Sequence, residues 1–79
     1  MPTLIRQRGF DVMIHTKDHA PAHVHCYRGR RLVKVALNSM RVVTTRHATH
    51  RDILEAIRLV QENQERLLRE WRRIHGQET

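Results

Sequence analysis

A chain of 79 residues with 39% hydrophobic and 29% charged residues reads as one globular domain, not a disordered one. Fifteen Lys and Arg against eight acids give a formal charge of +7, while one Phe, one Tyr and one Trp leave a core near the lower limit for an independent fold. No apolar run reaches the ~18 residues of a membrane span, no N-terminal hydrophobic region marks a secretory signal, and the single cysteine excludes a disulfide framework and any zinc site that needs two or four cysteines, so a cytoplasmic protein is expected.

In chain order, residues 3–8 predict a short strand turned at Gly9. Residues 10–16 alternate, with Phe10, Val12 and Ile14 on one side and Asp11, Met13 and His15 on the other, the pattern of a half-buried strand. Residues 17–22 cluster Asp, Pro and small side chains and predict a loop. Residues 23–28 alternate again, with His23, His25 and Tyr27 facing one way and Val24 and Cys26 the other. Arg28-Gly29-Arg30 predicts a hairpin turn into a strand over 31–37 with Val33, Val35 and Leu37 on one face. Asn38-Ser39 makes another turn, and residues 40–45 a last, β-branched strand.

The period then changes. Thr49-His-Arg-Asp52 fits a capping box, apolar residues recur at 53, 57, 60, 67, 71 and 74 with an interruption at Gln64, and Gly76 suits a C-cap. A helix of about 26 residues would run roughly 39 Å, beyond a typical strand of ~17–20 Å. Unless the strands are long or the sheet wide, its distal half overhangs, and Leu67, Leu68, Trp71 and Ile74 need a partner, in a homo- or hetero-oligomer. Glu62–Arg66 and Glu65–Arg69 lie at i, i+4 in the favourable order. The predicted fold is α+β: a four- to five-stranded, mostly antiparallel sheet followed by one long C-terminal helix, with a basic β part over 1–47 and the helix over 49–75.

The charge is asymmetric. Residues 1–47 carry nine bases and two acids, hence +7, while residues 48–79 carry six of each. The dense cluster Arg28, Arg30, Arg31 and Lys34 points to a polyanion (RNA or DNA) or an acidic protein partner, and Tyr27 beside it could stack on a base. Cys26 reads as a small core residue.

Four of the seven histidines fall between His15 and His25. His23 and His25 share one strand face, Pro21 stiffens the loop that presents His19, and Asp18 is close enough to orient an imidazole. Three readings follow. Two imidazoles can act as general base and acid, cleaving RNA with an arginine to offset the phosphorane charge, which makes Asp18, His19, His23 and His25 catalytic candidates. Alternatively, His19, His23 and His25 hold a zinc or nickel ion, with Asp18 as a further ligand. In the third reading the histidines are hydrogen-bond hubs at a loop–strand junction.

Met1-Pro2-Thr3, Gly9-Phe10, the octad Asp18-His19-x-Pro21-x-His23-Val24-His25, and the closing pattern Leu59-Val60, Glu62-Asn63, Leu67-Leu68 and Trp71 together resemble a family of small bacterial proteins, domain of unknown function 4160. The octad is the specific part. Ala22 departs from the second proline of many relatives, and the chain is richer in arginine than most. The resemblance implies a toxin encoded beside, and neutralised by, a small antitoxin protein, and makes Asp18, His19, Pro21, His23 and His25 the first residues to inspect. It supplies no reaction.

Overall fold

Period-two alternation gives five strands in sequence, and the change of period at Thr49 gives two helices. A computed structural model describes residues 3–76; Met1 and Pro2, which contribute to the family resemblance, lie outside them. The strands are β1 (Ile5–Gln7), β2 (Phe10–Met13), β3 (His23–Arg28), β4 (Arg31–Ala36) and β5 (Val42–Arg46), followed by α1 (His50–Glu62) and α2 (Gln64–His75). The sheet is a five-stranded antiparallel meander in the order β1-β2-β3-β4-β5, and the α+β expectation holds.

Two tight turns set the register. Arg8 and Gly9 both have positive φ, 55° and 80°, the combination a two-residue type I′ hairpin turn demands. A Cβ on Gly9 would also stand 3.5 Å from the Arg28 guanidinium Nε. Gly29, at φ 60°, turns β3 into β4, where Arg28 pairs with Arg31. Pairing then aligns Ile5, Val12, Cys26 and Val33 in one row and Val24 with Val35 in another. These residues pack with Phe10, Ile14 and Leu37 against Ala56, Leu59, Val60, Leu67 and Trp71 of the helices. The opposite face carries Arg6, Asp11, Tyr27, Leu32 and Arg46 in one row and Met13, His25, Lys34 and Thr44 in the next. Between Lys34 and Val35 the β4–β5 register slips; Val43 falls at the slip and is 56% exposed.

The capping box forms as predicted. Thr49 Oγ1 accepts from the Asp52 N–H at 3.1 Å, and Asp52 Oδ2 accepts from the Thr49 N–H at 2.8 Å. Gly76 ends α2 at φ 77°.

The one long helix is corrected to two. Asn63 has φ −121° and ψ 16°, and its side-chain Nδ2 donates to the Leu59 carbonyl at 2.8 Å. That carbonyl is the one the Asn63 backbone N–H would use in a continuous helix, so the N–H moves to Val60 O at 3.2 Å. The same amide donates to Gln7 Oε1 at 2.9 Å, and Gln64 Nε2 donates to the Leu37 carbonyl at 2.7 Å. The break thus ties the helix to the sheet. The longest principal extent is 33 Å, shorter than the unbroken helix would be. Leu67 and Trp71 have no exposed surface. These two residues are core within this chain, which corrects their expected role as a partner interface; Ile74 and Leu68 are half-buried against the same core. Glu62 also departs from its expected i, i+4 partner and binds Arg8 of the β1–β2 turn at 3.1 Å. No helix among the described residues is long and apolar enough to cross a membrane.

Candidate functional site

The loop between β2 and β3 folds back so that Asp18 meets the start of β3. Asp18 Oδ2 accepts from the His15 backbone N–H at 3.2 Å, and Asp18 N–H donates to the His15 carbonyl at 3.1 Å. This reciprocal pair fixes the carboxylate. His25 Nε2 lies 3.1 Å and His23 Nε2 3.3 Å from the same oxygen, Asp18 Oδ2. The three side chains are 9–16% exposed, and their ligand atoms all lie within 4.8 Å of one another.

A second layer holds these rings. His23 Nδ1 is 3.0 Å from the Pro21 carbonyl. The His15 ring stands edge-on to His25 at 4.1 Å between centroids, and Tyr27 stacks parallel to His25 at 6.1 Å. Trp71 reaches from α2 to within 5.4 Å of the His23 ring, and the His75 ring lies tilted against Trp71 at 4.1 Å between centroids. His75 Nε2 closes the arrangement by donating to the His15 carbonyl at 3.0 Å.

Burial pushes the His25 imidazole down to about 4 against the pull of Asp18 toward the charged form, and His15 and Lys34 push it the same way. His25 is therefore neutral at ordinary pH. Burial would raise the Asp18 carboxyl, but His23, the His15 N–H and His25 together hold it below the usual carboxylate range.

His19, grouped by the sequence with the other histidines, is exposed and outside this cluster. His15, Trp71 and His75 enter it without having been assigned to it; His15 was legible as a neighbour, whereas Trp71 and His75 arrive through the helix break. Cys26 is fully buried on the other face, and burial raises its thiol to about 12.

The arginine cluster divides. Arg28 Nη1 bonds Asp52 Oδ1 at 2.8 Å and Glu55 Oε1 at 2.9 Å. Its guanidinium also donates to the Arg8 carbonyl and lies 4.0 Å above the Phe10 ring. Arg31 approaches Asp52 at 3.4 Å. These two arginines bind the β3–β4 hairpin to the N-terminus of α1, so Arg28, expected as a nucleic-acid contact, serves here as a clamp between elements. Arg30 is exposed, while Lys34 and Tyr27 lie half-buried on the helix-free face.

The family described as a domain of unknown function (DUF4160) matches residues 9–72. Neither a curated protein nor a solved structure gave a match.

Proposed function

The chain belongs to the DUF4160 family, and from that premise and the geometry above we propose that it is the toxin member of a toxin–antitoxin pair, acting on RNA laid across the helix-free face of the sheet. The observation that carries this reading is the charge of that face. No acid occurs between Asp18 and Asp52, and Lys34, Arg46 and exposed Arg30 lie in this segment around Tyr27. Asp11, the acid in the same row as Tyr27, is ion-paired with Arg6 at 3.1 Å. An open antiparallel face with a tyrosine among cations suits single-stranded RNA, whose splayed bases stack on aromatic rings while cations meet the phosphates.

The histidines fit a metal-free acid–base pair poorly. His25 is neutral and walled in by His15 and Tyr27, so it has no proton to give as a general acid near pH 7. What favours the binding reading over two free imidazoles is this burial. The neutralising partner in this account is a small protein encoded next to the chain, whose acidic segment competes for Arg30, Lys34 and Arg46.

Induced expression in a bacterial host tests the proposal. The wild type is expected to arrest growth, the neighbouring small protein to relieve the arrest, and Arg30→Glu/Lys34→Glu to abolish it while circular dichroism stays unchanged. Undiminished arrest by that double variant would overturn the reading.

A further inference from the structure

We infer that Asp18, His23 and His25 form a site for a divalent transition-metal ion, with the carboxylate and the two Nε2 atoms as ligands and at least one position left open. The inference stands on the geometry of the cluster and is independent of the nucleic-acid reading.

The decisive atom is His23 Nε2. The Pro21 carbonyl can only accept, so its neighbour His23 Nδ1, 3.0 Å away, carries a proton. In the neutral ring Nε2 then presents a lone pair. It is buried and makes no hydrogen bond, and it lies 3.3 Å from a carboxylate oxygen. A buried lone pair with no donor, this close to an anion, is a position that a cation would satisfy. A ring nitrogen whose other N–H is anchored on a backbone carbonyl is the usual arrangement of a metal-ligating histidine.

Two of the three spacings agree. Bonds of about 2.0–2.1 Å at tetrahedral angles place ligand atoms roughly 3.3 Å apart, and the two nitrogen-to-oxygen separations are 3.1 and 3.3 Å. The two nitrogens, within 4.8 Å of each other, close on a bound metal by rotation of the rings. The donor set selects its class. Two imidazoles and one carboxylate suit zinc, cobalt, nickel or ferrous iron, whereas calcium and magnesium require more oxygen. The sequence alternative of His19, His23 and His25 is thereby revised: Asp18 replaces the exposed His19. With two neutral imidazoles and one carboxylate, a bound dication keeps one net positive charge. Its open position would take an oxygen ligand, water or a phosphate oxygen.

The test uses the tag-free full chain, stripped with chelator and titrated with Zn2+ by calorimetry and with Co2+ by visible absorption. One equivalent is expected to bind, with the intense d–d bands of low-coordinate cobalt. His23→Gln and Asp18→Asn should each weaken binding at least tenfold, and His19→Gln should leave it unchanged. The wild-type titration does not depend on any variant folding. No stoichiometric binding by the wild type would overturn the inference and leave an imidazolium–carboxylate pair between His23 and Asp18. Equal binding by a folded His23→Gln protein would also overturn it.

Discussion

Arg28 joins three parts of the chain with one side chain. Its guanidinium meets Asp52 and Glu55 of α1, the carbonyl of Arg8 in the first turn, and the face of Phe10. Asp52 is only 1% exposed, so removing its cation leaves a carboxylate without its principal counter-charge. Arg28→Ala is expected to lower the melting temperature by several degrees, while Arg30→Ala, on an exposed residue, leaves it unchanged; thermal denaturation followed by circular dichroism checks both. Asp52 also sets an acid limit. The Thr49 N–H, then the Thr49 hydroxyl and Arg28, hold it down to about 2 from an ordinary 3.8 despite its burial. Between these values the unfolded chain binds the proton and the folded chain does not, so stability present above 3.8 is lost as pH falls through 2. His25 has the same sign in a higher window, from 6.5 down to about 4 in chelator-treated protein. Denaturant melts against pH should show both slopes, the lower one flattened in Asp52→Asn and the upper one in His25→Gln.

At the scale of elements, the consequential feature is the break at Asn63. Helix propensity alone favours alanine there, so a continuous helix would gain from Asn63→Ala. In this fold the variant loses two side-chain hydrogen bonds, to Leu59 O and Gln7 Oε1, each worth about 0.5–1.5 kcal/mol. Urea denaturation is expected to show destabilisation of roughly 1–3 kcal/mol; a stabilised variant would contradict the account. Trp71→Ala should cost about 3–5 kcal/mol in the isolated chain, as a core truncation does. A loss of association with unchanged stability would instead restore the overhanging interface. The strands, both glycine turns and the capping box were legible because their signals are local: alternation, positive φ at Gly9 and Gly29, and Thr49 three residues before Asp52. The break was visible only as an interruption at Gln64. Its cause is the Asn63 side chain, which takes the Leu59 carbonyl and reaches Gln7, contacts that no apolar period records.

For the whole molecule, the meander sorts the chain into a helix-covered core face and a basic open face, with the histidine cluster at the start of β3. Half of the cluster was readable, since the period-two spacing of His23 and His25 places them together and the loop brings Asp18 back. The choice between Asp18 and His19 was not readable, because it depends on the reciprocal hydrogen bonds between Asp18 and the His15 backbone. Nor was the division of the arginines, which depends on where α1 begins. The open face, with Tyr27, Lys34 and Arg46 in adjacent rows, is what links fold to function in this account. Its most direct test is titration of a single-stranded RNA with the tag-free protein at several salt concentrations, alongside Tyr27→Ala/Lys34→Glu. The account predicts wild-type affinity that falls steeply with salt, with a log–log slope of about −0.7 per phosphate contact, and at least tenfold weaker binding by the double variant. Binding that is indifferent to salt, or equal in the two proteins, would contradict it.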